Sequence, residues 1–400
     1  MSFLANNLNK IKPSATLAIT AKAKELKALG KDVIPLSAGE PDFNTPENIQ
    51  KAAIIAIQNG ETKYTAIDGT KALKQAIITK FKRENNLEYK ETEISVGCGG
   101  KHVLYNIMRA SLNPGDEVII PTPYWVSYPA MVLLSDATPV LVETKFENRF
   151  ILTPEDLEKA ITEKTKWVIL NSPSNPTGAC YTKSDLKKLT EVLLKYPHVH
   201  IIVDDMYEHL VYEGFKFYNL VELEPKLKER TVVVNGVSKA YAMTGWRIGY
   251  AAGREDLIKA MRKVQSQSTS NPCSIAQAAA VEALLGDQSC LETNKKIFEK
   301  RRDLVVELIN KIPGLQANKP EGAFYVFPSC KELLGKKTSS GKILENDVDF
   351  CSYVLEEHLV ALVPGTAFGA PGFFRMSYAL GEESLEKAVV RINNAVKALN

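Results

Sequence analysis

Two cations eight residues apart carry the first chemical signal in this chain. In NGVSKAYAMTGWRIGY, residues 235–250, Lys239 opens a loop and Arg247 closes it. A lysine held as a free amine can form an imine with an aldehyde, and a basic pocket beside a bound dianion lowers its pKa toward that state. An arginine at fixed reach suits two-pronged capture of a phosphate. The apolar runs TVVVN (231–235) and IGYAAG (248–253) flank the loop and read as strands. Loops at strand ends are where α/β proteins place reactive groups.

The elements that must position this pair follow from hydrophobic patterning. Short apolar runs recur at ISVG (94–97), EVIIP (117–121), PVLV (139–142), WVILN (167–171) and HIIVD (200–204). They alternate with helical spacing over 99–112 and 184–194, which predicts an α/β chain with a mostly parallel sheet and helices on both faces. Beyond about residue 286 a charged helical pattern over 291–312 leads past Pro313 and Gly314 into EGAFYVF (321–327), ALVPG (361–365) and FFRMSYA (373–379). These short segments predict a smaller α+β domain. The expected division is an N-terminal segment, 1–45, packing with the small domain, then a large domain, 46–290, and a small C-terminal domain, 291–400. The first segment holds one helix (14–29) and the loop LSAGEPDF (36–43), and KTSSGK (337–342) reads as a flexible surface loop.

Composition narrows the function. Four hundred residues with 45% apolar content can build one or two cores, and 50 basic against 47 acidic residues describe an ordinary soluble enzyme. A net charge of +3 without a long Lys/Arg run offers no field for nucleic acid. No window has the apolar length to cross a bilayer and the N-terminus lacks a signal-peptide core, so a cytoplasmic location is expected. Six cysteines stand singly, which argues for reduced thiols rather than disulfides or zinc. The histidines form neither HExxH nor a Ser/His/Asp order; His198 and His200 read as packing or solvent-facing, and no metal is expected. GxGxxG is absent, and Ser95 and His102 stand where a Walker loop needs Gly and Ser/Thr.

SPSNPTG (172–178), VDDMYEHLVY (203–212), SKAYAMTGWRIGY (238–250) and FRMSYA (374–379) together resemble the class I pyridoxal-phosphate-dependent aminotransferases. GEPDF (39–43), KYT (63–65), GGK (99–101) and PYWVSYP (123–129) appear in that family's order and spacing, most like its bacterial aspartate and aspartate/prephenate aminotransferase subgroup. The resemblance covers nearly the whole chain. It implies the type I fold of pyridoxal-phosphate-dependent transferases, pyridoxal 5'-phosphate as cofactor, and a homodimer with shared active sites.

Each motif has a physical task under that resemblance. Gly99, Gly100 and Lys101 follow a strand and open a helix, whose N–H groups and dipole suit a phosphate. Arg247 and Ser238 complete that cup, and Tyr64 is implied to reach it from a second subunit. Asp204 ends a strand where a carboxylate can keep a pyridine nitrogen protonated, making the ring an electron sink. Its neighbour Asp205 stands where many relatives carry glutamate. Tyr207 and Asn175 are implied to bond the ring hydroxyl, and Trp125 to stack on the ring. Lys239 is the implied carrier of the Cα proton. Arg375 is the implied anchor of the substrate carboxylate, approached by the backbone of Gly39.

For the substrate, the subgroup implies L-aspartate as amino donor and 2-oxoglutarate as acceptor by ping-pong kinetics, extending to prephenate and arogenate through Lys12. Lys12, Ser14, Thr16 and Lys101 are candidate partners for a second carboxylate. Other readings on the same scaffold are an aromatic or alanine aminotransferase, a pyridoxal-phosphate C–S lyase, and a non-catalytic protein that senses amino acids. Amino transfer without loss of sulfide or carbon dioxide separates the enzymes. Retention of Lys239, Asp204 and Arg247 together argues against a silent site.

Overall fold

The computed structural model describes residues 3–13 and 15–400. Seven strands form the larger sheet: β1 (Ile94–Gly97), β2 (Glu117–Thr122), β3 (Thr138–Glu143), β4 (Thr165–Asn171), β5 (His200–Asp204), β6 (Thr231–Gly236) and β7 (Gly249–Ala252). Their order is β1-β7-β6-β5-β4-β2-β3. Strand β7 runs antiparallel to both neighbours, and every other pairing is parallel.

Alternate residues of each strand enter opposite layers, which is why the central strands read as unbroken apolar runs. Ile201 and Val203 pack on one face, with Leu73, Ile77 and Phe81 of the helix Lys71–Asn85 and with Ala279 and Ala283 of the helix Ser274–Leu285. Ile202 packs on the other, with Val103 and Ile107 of the helix Gly100–Ser111 and Met261 of the helix Glu255–Ser266. Burial of each of the larger of these side chains, from valine upward, contributes about 1.5–3 kcal/mol. The crossover helix Lys183–Lys195 begins where Thr182 and Asp185 form a reciprocal capping box that satisfies two otherwise unpaired N–H groups.

A second sheet, β8 (Tyr325–Val326), β9 (Val363–Pro364) and β10 (Phe374–Ser377), is antiparallel in the order β8-β10-β9. Its strands are shorter than the apolar runs suggest, because the flanking residues turn away to meet other segments: Tyr212 N bonds Glu321 O and Ala323 N bonds Leu210 O. The helices Ser289–Ile309, Asp347–His358 and Glu382–Lys397 cover this sheet.

Two local expectations change. The 337–342 segment is a tight turn rather than a loose loop, because Thr338 is buried and its N–H bonds Lys342 O. The first residues also divide their contacts. The helix Ala15–Ala28 and Val33 pack on Leu355 and Ala361. Asn6–Lys10 lies instead against the helix Ser127–Leu134, with Lys10 Nζ 2.8 Å from Asp136 Oδ1.

Candidate active site

Parallel strands present their carboxyl ends on one edge of the sheet, and a concave site opens there. A cavity of about 400 Å³ lies between the ends of β4 and β5, the loop after β6, and β8 and β10 of the small sheet. Lys239, Asp204, Tyr207 and Ser238 line it, as do Asn175, Trp125, Arg247 and Arg375.

Lys239 is half-buried, and its Nζ donates to Gly39 O at 2.5 Å. Burial, then the cationic Arg375, pull its pKa down to about 8, against the opposing carboxylate of Glu40. The amine is therefore close to the state in which it acts as a nucleophile or base near neutral pH.

Asp204 is buried at the cavity floor, and burial raises its pKa. Tyr128 donates to its Oδ2 at 2.6 Å, Met206 N to its Oδ1 at 3.3 Å, and Asn171 Nδ2 to its backbone oxygen at 2.8 Å. Trp125 stands above with its ring edge-to-face to Tyr128, centroids 5.3 Å apart. Lys101 Nζ lies 5.0 Å from the centroid of the Trp125 ring. Partial burial, then the charge of Arg247, pull Lys101 below the ordinary lysine value. Tyr207 shares a 2.9 Å hydroxyl contact with Tyr325.

Arg375 is not the exposed edge residue its neighbours in sequence allow. It lies on the middle strand of the small sheet and is only 3% exposed. Nη1 donates to Asn175 Oδ1 and Nη2 to Ser37 O, both at 2.8 Å, and the guanidinium sits 4.5 Å from the Tyr325 ring centroid. Its Nε is buried without a partner among the described residues. That is a donor arrangement with capacity left for a carboxylate.

A phosphate cup is preformed beside this. Gly99 has φ 87°, a value that favours glycine, and caps the helix Gly100–Ser111. The N–H groups of Gly100 and Lys101 have no backbone acceptor among the described residues. Arg247, itself in the left-handed region at φ 57°, lays its guanidinium so close to Gly99 that an added Cβ would come within 2.8 Å of Cζ. Two free N–H donors, a helix N-terminus and a guanidinium make a donor set for a dianion. Together with the aromatic Trp125 and the buried Asp204, this set fits a phosphorylated, nitrogen-containing aromatic aldehyde.

Residues 31–392 match the family described as aminotransferase class I and II. The chain belongs to that family. A probable aspartate/prephenate aminotransferase of Rhizobium leguminosarum is 60% identical over 392 residues, covering 98% of each chain. The aspartate aminotransferase structure from Rhizobium meliloti superposes with a TM-score of 0.97 at 56% identity, covering 100% of both chains. The aspartate aminotransferase of Thermus thermophilus with maleate gives 0.92 at 43% identity, covering 99% of this chain and 100% of that one.

Within this aminotransferase not every expected site residue reaches the cavity. Gly39, Gly100, Lys101 and Thr16 line it, and Gly99 supports Arg247 from behind. Tyr64 is 92% exposed and does not line the cavity of its own chain. Lys12 is exposed and does not line the cavity, and Ser14 lies outside the described residues. Sequence reasoning passed over Tyr128, Tyr325, Asn171 and Glu40. Tyr128 was within reach, since it lies three residues beyond Trp125 in PYWVSYP; Asn171 ends β4 directly opposite Asp204. Nothing local marks Tyr325, whose partner Tyr207 is 118 residues away.

Proposed function

We propose that this aminotransferase moves the amino group of L-aspartate to 2-oxoglutarate, giving oxaloacetate and L-glutamate, with pyridoxal 5'-phosphate as cofactor. The observation that carries the reading is the single cavity holding a depressed lysine, a buried aspartate and a buried arginine beside a phosphate cup. Pyridoxal 5'-phosphate supplies an aldehyde that takes up the amino group and a ring that accepts electron density from the substrate carbon.

The chain's own residues would divide the remaining work. Arg247, Ser238 and the N–H groups of Gly100 and Lys101 hold the phosphate, and Trp125 covers the ring. Asp204 would hold a proton on the ring nitrogen, and Asn175 and Tyr207 would bond the ring hydroxyl. Arg375 binds the substrate α-carboxylate, with Gly39 leaving room for it. By fixing the carboxylate, that grip would leave the Cα–H bond rather than the carboxylate bond open to reaction, which favours amino transfer over decarboxylation. Lys239 would act as the base that takes the proton from the substrate Cα and holds it for return. One cavity receives the two acids in turn, so the kinetics are ping-pong.

The preference for a dicarboxylate rests on cations left over once Arg375 is used. Lys101 and Thr16 line the cavity, and with the exposed Lys12 they are the proposed partners of a second carboxylate, with prephenate as a further substrate. The relatives named for aspartate and prephenate, and the neighbour named with maleate, a dicarboxylate, support this choice.

A homodimer is part of the proposal. Ile54, Ile55 and Ile57 are each more than half exposed on the helix Glu47–Gln58, an apolar face close in sequence to the exposed Tyr64. Covering that face with a second copy would let Tyr64 reach the other phosphate cup. We also propose the division into a large domain, 46–290, and a small one, 291–400, and a cytoplasmic location. Two separate sheets with their own apolar clusters support the division.

The test is the near-ultraviolet and visible spectrum of the purified protein and of Lys239→Ala, before and after aspartate. A yellow wild type that bleaches with aspartate, matched by a colourless or unresponsive variant, is the expected result. Borohydride reduction that fixes the cofactor on another peptide overturns it.

A further inference from the structure

Residues 37–45 form irregular chain whose first four, Ser37 to Glu40, line the cavity, and among the described residues no backbone–backbone hydrogen bond involves the segment. Buried or half-buried backbone in that condition must be held by side chains from elsewhere. Arg375 Nη2 donates to Ser37 O at 2.8 Å and Lys239 Nζ to Gly39 O at 2.5 Å. Thr244 Oγ1 donates to Glu40 Oε2 at 2.9 Å, and Trp246 Nε1 to Thr45 Oγ1 at 2.9 Å. Finally, Arg301 Nη1 and Nη2 grip the two oxygens of Asp42 at 2.7 and 2.9 Å.

These ties are unequal. Lys239 gives up its bond whenever its amine is joined to carbon, and Arg375 is drawn to each incoming carboxylate. The Glu40 tie is solvent-exposed and correspondingly weak. The Arg301 fork alone is charged, two-pronged and largely desolvated: Arg301 is 7% exposed, with its guanidinium 5.3 and 5.8 Å from the Phe43 and Phe298 ring centroids. It reaches from the helix Ser289–Ile309, which packs with the small sheet, to the segment that meets the lysine.

We propose that Arg301 is a positioning residue, which through Asp42 fixes the segment presenting the Gly39 carbonyl to Lys239 and so sets where the amine rests whenever it is not bonded to carbon. The inference rests on Lys239 being the reacting amine. Around that amine stand the cations Arg375 and Arg247, the anions Glu40 and Asp204, and the rings of Tyr207 and Phe324 at 6.0 and 5.9 Å. Loosening the segment withdraws the Gly39 carbonyl and the Glu40 carboxylate together, both of which favour the ammonium form.

The experiment is reductive methylation of the full-length chain, freed of small molecules, across a pH series, with the Lys239 and Lys80 peptides quantified by mass spectrometry. Wild type is compared with Asp42→Asn and with Arg301→Lys, which keeps the charge and removes only the fork. The expected result is a Lys239 midpoint moved to lower pH, with about threefold faster modification at pH 7, while Lys80, fully buried in the wild type, stays protected. An unchanged Lys239 profile in either folded variant overturns the proposal. So does a rise in Lys80 modification that parallels Lys239, since that marks general unfolding. A wild type that takes up no aldehyde and transfers no amino group, yet shows the midpoint shift between variants, overturns the proposed function and leaves the positioning role standing.

Discussion

The phenol of Tyr128 donates a 2.6 Å hydrogen bond to Oδ2 of Asp204, and both residues are buried. The bond opposes the effect of burial, which pushes the Asp204 carboxyl above the usual carboxylate range. A neutral donor that cannot be deprotonated near neutrality is well suited to that task, because burial also drives the Tyr128 phenol up.

Replacing Tyr128 by phenylalanine removes the donor and keeps the packing. Asp204 should then hold its proton to higher pH. The acidic limb of kcat against pH is expected to move upward, with kcat at pH 7 falling roughly ten- to a hundredfold. An acidic limb that stays in place would show that Tyr128 only fills space.

Gly99→Ala should empty the phosphate cup. Its φ of 87° strains any other residue, and the added methyl would drive into the Arg247 guanidinium. Cofactor retention is expected to weaken by about 1–3 kcal/mol, roughly five- to a hundredfold in dissociation constant. Equilibrium dialysis against pyridoxal 5'-phosphate measures this directly, and far-ultraviolet circular dichroism should be unchanged.

Lys239 makes stability depend on pH when it carries no cofactor. Its folded-state pKa is about 8, below the ordinary 10.5, so between those values the unfolded chain binds more protons than the folded one. Stability should therefore rise with pH across that window. Below about 8, both states are protonated and the buried charge exerts its full destabilising effect. Lys239→Met should be more stable than wild type at pH 7 and lose that advantage by about pH 10.5. Urea unfolding at several pH values provides the comparison.

Lys12→Ala separates the two proposed donors. Lys12 is exposed and not part of the cavity lining, so it should matter only for the bulkier acid. Turnover of prephenate should fall about tenfold relative to turnover of aspartate. Equal losses for the two substrates would remove Lys12 from the specificity set.

Much of this molecule could be read along the chain because its central strands are buried on both faces. Unbroken runs such as HIIVD and WVILN, separated by helical spacing, leave little but a helix-covered parallel sheet, and the loop holding Lys239 and the aspartate that closes HIIVD then fall at strand ends. The short strands of the small sheet were less legible. Tyr325–Val326 and Val363–Pro364 pair over only two residues each, too few for any period to show.

The features legible along the chain were therefore local chemistry: a lysine and an arginine on one loop, a glycine pair opening a helix, an aspartate closing a strand. Tertiary structure alone decided which distant groups tune them. Arg375 meets Asn175 across 200 residues, Arg301 meets Asp42 across 259, and Tyr128 meets Asp204 across 76. The physical reason is that a strand or helix announces itself through periodic burial over a few residues. A hydrogen bond between separate elements depends on how whole layers pack, and that leaves no mark on the spacing of either partner.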